Sequence, residues 1–241
     1  MEASMYVALS GQLALQRRLD TIANNVANST TPGFRAENVT FETVLSQTQS
    51  SSVAYSGAGE STFSRTSGAI VQTTNPLDVA IHGDAFMSVN GANGPVYTRD
   101  GRMRISTQGD LENMNGQQVL DQSGGPIQIN PSLGPVQISR DGTISQNGTR
   151  VGRLGLFQIP ANAKLVRHEG AAVVPDTPAE PVVDFVSKGF AQGYIEKANV
   201  DPVMEMTRLI SVTRAFEAMS AAGEQSDRKL TDAIKALGTG R

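Results

Sequence analysis

The sequence predicts an α+β protein: a mainly antiparallel β domain flanked by N- and C-terminal helices that pair as a coiled-coil-like tail. Three observations carry that expectation. Apolar residues recur at helical spacing at both ends of the chain, turn dipeptides recur through its middle, and neither terminal helix can hide its apolar stripe alone. The expected partition is an N-terminal helix over 1–30, an extended connector over 31–75, an all-β domain over 76–190 and a C-terminal helix over 191–241.

The first helix is read from Met5, Ala8, Gln12, Leu15, Leu19, Ile22 and Val26, which advance by steps of three and four. They form a heptad seam with one polar interruption, Gln12. Thr31 precedes Pro32, whose ring drives it out of the α region, and Gly33 follows where a left-handed backbone is cheap. The helix is therefore expected to stop shortly before Thr31. Within LDTIANNVANSTTPGF (Leu19 to Phe34) the stripe continues while Asn24, Asn25 and Asn28, weak helix formers, accumulate. Two readings stand: they cap and fray a helix C-terminus, or they fix register between packed helices.

From Arg35 to about Asn75 the pattern weakens, and SQTQSSSVAYSGAGEST (Ser46 to Thr62) is small, polar and without period, as in an extended or mobile connector. Leu77, Val79 and Ile81 then alternate with Asp78 and Ala80, the period of a half-buried strand. Turn dipeptides follow at Asn90-Gly91, Asn93-Gly94, Asp100-Gly101, Asn115-Gly116, Asp141-Gly142 and Asn147-Gly148, each able to close a tight hairpin. VPDTPAEP (Val174 to Pro181) holds too much proline for a central strand and marks a loop or an edge.

The last regime opens at Asn199. Asp201 is a good N-cap with Pro202 at the first helical position. The seam runs through Met206, Leu209, Thr213, Phe216, Ser220, Gly223, Asp227, Leu230, Ile234 and Leu237, and its middle is small and polar. Glu224 and Arg228 stand four apart in the favourable order, and Gly238 and Gly240 end the helix.

Composition excludes several function classes. Of 241 residues, 39% are apolar but only 5% aromatic, which gives an aliphatic, thin core. A net charge of -3 leaves no basic footprint for nucleic acid. The absence of Cys excludes disulfides, thiolate metal sites and Cys nucleophiles. MEASMYVALS carries Glu2 and no Lys or Arg, so no Sec-type signal is read, and no apolar stretch approaches the ~20 residues of a membrane span, so no direct membrane insertion is expected. By these criteria alone the protein is soluble and stays where it is made.

No reaction chemistry stands out. His82 and His168 lie far apart without ligand-spaced neighbours and read as structural histidines; no metal and no cofactor is expected. There is no G-x-S-x-G elbow and no phosphate-cradling loop. Asp78, Asp84, Asp100, Asp110 and Asp121 could in principle supply the carboxylate pair of a periplasmic carbohydrate-acting enzyme, but most sit beside Gly or Asn, where Asp serves as a turn residue. The chain reads as no enzyme.

ANNVANSTTPGF (Ala23 to Phe34) resembles the N-terminal signature of bacterial flagellar rod and hook proteins. NPLDVAIHGDAF (Asn75 to Phe86), VYTRDGRMRISTQGDL (Val96 to Leu111), DGTISQNG (Asp141 to Gly148) and YIEKANVDPVMEMTRLISVTRAFEA (Tyr194 to Ala218) are similar to the same family in the same order. Ordered agreement of this kind is far more specific than any one motif. The opening MEASMYVALSGQLALQRRLDTIANN and the short connector resemble a rod subunit more than the distal rod or hook type, which remains the nearest alternative. His82 and Met87 depart from the pattern, standing where an acidic and an aromatic residue are expected.

The resemblance implies a structural subunit of the basal-body rod, the drive shaft within the periplasm. Such a subunit is exported without a cleaved signal peptide by the flagellar export apparatus, and its partners are proximal and distal rod proteins. This reverses the localisation drawn from the missing signal. On that reading Leu15, Leu19, Ile22 and Val26 bury against Met206, Leu209, Ile210 and Phe216. Asn24, Asn25 and Asn28 set axial register or bond a neighbouring subunit, and Pro32, Gly33 and Phe34 redirect the chain.

Overall fold

The computed structural model describes residues 2–41, 43–48, 51–57 and 59–238. It divides into two units, one drawn from Met1–Ala27, Glu37–Thr62 and Asp201–Arg241, the other from Asn28–Ala36 and Phe63–Val200. The α+β class and the antiparallel strand pairing agree with the sequence reading.

The first unit is helical. Its long elements are α1 (Glu2–Ala27) and α2 (Pro202–Gly238), accompanied by β1 (Glu37–Thr40), which pairs with β4 (Glu60–Phe63), and by an antiparallel hairpin of β2 (Thr43–Thr48) and β3 (Ser51–Ser56). α2 starts where its cap dictates. The Asp201 carboxylate accepts hydrogen bonds from Val203 N at 3.0 Å and Met204 N at 3.1 Å, satisfying two of the backbone donors that a helix start leaves unpaired.

α1 and α2 pack against each other. Gln12 Nε2 donates to Ser220 Oγ at 3.2 Å near one end of the pair, while Ile22 and Asn25 line one cavity with Glu205 and Arg208 near the other. The helices therefore run antiparallel. Gln12, the polar break in the first seam, thus meets the polar middle of the second. A Cβ built on Gly11 would lie 2.9 Å from Met219 Sδ, so glycine permits the close approach here.

The second seam keeps its expected phase from Leu209 onward, with Leu209, Thr213, Phe216, Ser220 and Gly223 half-buried, and departs from it at its first position. Met206 and Ile210 are 51% and 56% exposed, and Glu205 rather than Met206 turns inward, with Val212 and Met219 beside the seam. The reason is electrostatic. Glu205 accepts from Arg208 Nη1 at 2.5 Å, and this pairing lets a carboxylate take the inner position that periodicity assigned to the adjacent methionine. The side chains of Met5, Asp227, Leu230, Ile234 and Leu237, and residue Gly240, lie outside the described residues.

The second unit is built of fifteen short strands: β5 (Ile70–Gln72), β6 (Val79–His82), β7 (Phe86–Gly91), β8 (Gly94–Thr98), β9 (Met103–Ile105), β10 (Leu111–Asn113), β11 (Val136–Ile138), β12 (Thr143–Gln146), β13 (Thr149–Arg153), β14 (Leu156–Gln158), β15 (Leu165–Arg167), β16 (Val173–Pro175), β17 (Glu180–Pro181), β18 (Gly189–Gln192) and β19 (Tyr194–Glu196). Six of them form an antiparallel sheet in the order β15-β16-β8-β7-β14-β17, three form β11-β12-β13, and the rest pair as β18-β6, β19-β5 and β10-β9. The proline-rich VPDTPAEP supplies the end of β16, an interior strand, against the sequence expectation, and then β17, an edge of the large sheet, where a missing N–H costs no ladder bond.

Two segments depart from the expected partition. Residues 31–75 carry strands β1 to β5, and residues 191–196 hold the end of β18, a turn at Gly193 and β19, so the helix begins at Pro202, where the Asp201 cap put it, and not at 191. Strands exposed on both faces, such as β4, leave no alternation for a sequence reading to find. β6 errs the other way: Val79, Ala80 and Ile81 are all at most 1% exposed, buried on both faces rather than one.

The core of this unit gathers Val79, Ile81, Met87, Val89, Leu111, Ile144 and Leu156. Met87 is fully buried where the family pattern calls for an aromatic, and His82 ends β6 exposed. Among the turns, Asn147 (φ 49°) and Gly148 (φ 76°) both adopt the left-handed region between β12 and β13, as a two-residue hairpin requires.

At the heart of the unit, Arg99 and Glu196 are both fully buried. Arg99 Nε and Nη2 hold Glu196 Oε2 at 2.7 and 2.6 Å, and its remaining donors reach the carbonyls of Ile81, Gly83 and Ala85. Every guanidinium donor is used. Desolvation of this charge is offset by complete pairing, the condition under which a buried ion pair is tolerated.

Candidate assembly interface

The residues expected to form the interface fall into three groups. Ile22 is buried inside the helical unit, and Leu15, Leu19, Val26, Leu209 and Phe216 are half-buried there. Met206 and Ile210 face solvent, which corrects the expectation that they bury against the first helix of the same chain. Asn24 and Asn28 are half-buried.

Asn25 has a role that sequence reasoning missed. It is 2% exposed; its Nδ2 donates to Glu37 O at 2.9 Å and its Oδ1 accepts from Glu37 N at 3.0 Å. The side-chain amide thus pairs with both backbone groups of one residue, as a neighbouring strand would, and pins the start of β1 against α1. Aspartate would lose the donor and glutamine would be one carbon too long. This pairing lies within the chain and engages both ends of the Asn25 amide.

The turn at Pro32, Gly33 and Phe34 belongs to the β unit. Thr31 N donates to Asn28 O at 3.0 Å and Phe34 N to Thr31 O at 3.2 Å, giving two successive turns. Gly33 has φ +70°, and a Cβ there would fall 2.3 Å from the Arg99 carbonyl carbon, so no other residue fits. Phe34 is an anchor rather than a bend, fully buried under the guanidinium of Arg167, which lies 4.2 Å from its ring centre.

On α1 a second apolar stripe was not singled out by sequence, whereas on α2 Met206 and Ile210 were already named and Val203 extends them. Tyr6, Leu9 and Leu13 on α1 are 60%, 49% and 59% exposed, and Val203, Met206 and Ile210 on α2 are 73%, 51% and 56% exposed. Each triplet is spaced i, i+3, i+7, which aligns it along one side of its helix. On α1 the spacing was legible; a single-seam reading stopped at the first stripe.

The aspartates weighed for catalysis are all engaged structurally. Asp121 Oδ1 accepts from Ser123 N and Gly125 N, Asp110 from Gln118 and Gln128, and Asp78 from Asn75, while Asp84 pairs with Arg65 and Asp100 with Arg102. Among the described residues no group of three or more His, Asp or Glu could hold a metal ion, and no helix is long and apolar enough to cross a membrane.

Comparison with known proteins agrees with this layout. Residues 5–35 match the family model described as flagella basal body rod protein, residues 80–146 that of the flagellar hook protein FlgE/F/G D1 domain, and residues 191–235 that of the flagellar basal body rod FlgEFG protein C-terminal. The chain is 45% identical to the flagellar basal-body rod protein FlgF of Mesorhizobium japonicum, over 99% of each chain. It is 42% identical to FlgF of Rhizobium meliloti over all of both chains, and 35% identical to FlgF of Caulobacter vibrioides over 99% of each. The matches cover most of both terminal helices, the turn at Gly33 and much of the β unit, and the chain belongs to the FlgF family of flagellar basal-body rod proteins.

Proposed function

We propose that the protein is a non-enzymatic structural subunit of the periplasmic rod, which joins neighbouring rod subunits, proximal and distal, through its terminal helices after delivery by the flagellar export apparatus. One observation carries this reading: the antiparallel helix pair leaves Tyr6, Leu9 and Leu13 exposed toward one end and Val203, Met206 and Ile210 exposed toward the other. The two patches differ in composition and position, so contact between them is heterologous. Heterologous contacts that do not close generate a helical filament. Asn24, Asn25 and Asn28 are the candidates for setting register between subunits, a polar role compatible with their place beside the seam.

The test replaces Leu13 or Ile210 by Asp in the chromosomal copy. Both positions are exposed, so monomer stability should change by no more than about 0.5 kcal/mol. Swimming in soft agar should be lost, and the variant subunit should be absent from purified basal bodies. Normal swimming of both variants would overturn the proposal, as would incorporation of either at the wild-type level.

A further inference from the structure

The chain passes from one unit to the other after Ala27, Ala36, Thr62 and Val200. Three of these passages begin or end at residues that the β unit ties together by itself. Asn199 Oδ1 accepts from Ala36 N at 2.6 Å, and its Nδ2 donates to Ser64 Oγ at 2.9 Å and Thr66 O at 2.8 Å. Ser64 N donates to Ala36 O at 2.8 Å, and Asn199 N to Phe34 O at 3.2 Å. Arg167, on β15, lies 4.2 and 4.7 Å from the ring centres of Phe34 and Phe63 and donates to Arg35 O at 2.7 Å.

Arg35 stands in the middle of these ties, and it is the least satisfied member. Glu196 Oε2 is already held by Arg99; Arg35 Nη2 takes only the second oxygen, at 3.2 Å, and shares it with Gly68 N at 2.9 Å. Its Nη1 reaches Thr66 O at 2.5 Å and its Nη2 Ser67 Oγ at 3.3 Å, while Nε is buried without a partner. The cluster therefore holds two buried cations on one carboxylate. Burial above all, and then the charge of Arg99, pull the Arg35 pKa down to about 10, partly offset by Glu196. A base whose pKa falls on folding opposes folding fully below that pH, and the opposition fades only as pH climbs from about 10 toward the ordinary arginine value.

We infer that Arg35 is a positioning residue, kept at a cost in stability because it locks residues 33–36 to 64–68 and 196–199 within the β unit and so holds the points at which the chain leaves that unit. The inference rests on the rod role proposed above. An arginine whose only task was to stabilise the core would be replaced to advantage by an apolar side chain of similar length. What an apolar side chain cannot do is bind Thr66 O, Ser67 Oγ and Glu196 at once.

The test uses the full chain carrying Arg35→Met, Arg35→Lys or Asn199→Ala. In Arg35→Met the denaturation midpoint of the β unit should stay level or rise, while the amides of Gly33, Ala36, Ser64 and Gly68 exchange about tenfold faster or more. Arg35→Lys should restore part of that protection, because an ammonium can satisfy one of the three acceptors. Asn199→Ala, which changes no charge, should speed exchange at Ala36 and Ser64 and leave the core strands protected. The swimming ring of the Arg35→Met strain should shrink. A midpoint that falls together with core protection makes Arg35 an ordinary stabiliser and overturns the inference; so do four amides that keep wild-type protection. If the Leu13→Asp and Ile210→Asp strains are immotile while Arg35→Met swims normally, the positioning role alone fails. If all of them swim, the rod reading fails first.

Discussion

The two units of this chain treat apolar surface in opposite ways. Among the described side chains of the helical unit, the apolar residues less than a tenth exposed are Ala14, Ile22 and Val212; the β unit buries Val79, Met87, Val89, Val119 and Ile144 completely, with many more nearly so. The β unit also places a full ion pair, Arg99 with Glu196, in its interior and satisfies every donor of the guanidinium. One unit finishes its core and the other leaves it open. A helix pair with apolar stripes exposed at both ends offers surface for a further subunit to cover, as the proposed filament role requires.

The largest effect should come from breaking the finished core. Glu196→Gln leaves Arg99 and Arg35 buried without a counter-charge, a loss of about 3–5 kcal/mol from the β unit. Chemical denaturation, with amide exchange read on β6, β7 and β14, measures it directly. A loss below about 1 kcal/mol would mean that water reaches this cluster and that the contrast between the units is weaker than the packing indicates.

The same contrast explains what could be read from the sequence. Both helices, the Asp201 cap and the Asn147-Gly148 hairpin rest on residues within a few positions of each other, so local spacing reveals them. The Glu196 cluster was invisible because its members come from distant parts of the chain, Arg99 lying 97 residues from Glu196. The slip in the second seam has another cause. Periodicity ranks Met206 above Glu205 for an inner position, and only the partner Arg208 reverses the order. The three asparagines posed the question best and answered it least: nothing in ANNVAN says that Asn25 pairs with the backbone of Glu37, a residue beyond the turn.

A middle-sized effect separates that pairing from the interface. Asn25→Ala removes both bonds to Glu37 and leaves two backbone groups unpaired, at a cost of about 1–3 kcal/mol confined to the helical unit. Faster exchange at the Glu37 amide in the isolated chain would locate the loss. If the monomer is unchanged while assembly fails, Asn25 serves a neighbour after all, and the internal pairing is incidental.

The smallest effect tests the open unit where it is most exposed. Glu224 Oε2 and Arg228 Nη2 lie 3.7 Å apart on the surface of α2, with side chains 72% and 79% exposed. Water and salt screen such a pair, so Glu224→Gln should change helix stability by only about 0.3 kcal/mol, and less at high ionic strength. Helicity of the monomer across a salt series detects this much. A salt-independent loss several times larger would mean that the pair is shielded from water, and hence that this stretch of α2 is already covered in the monomer. The open surface of the helix pair would then be confined to the patches around Leu13 and Ile210, whose exposure does not depend on the state of Glu224.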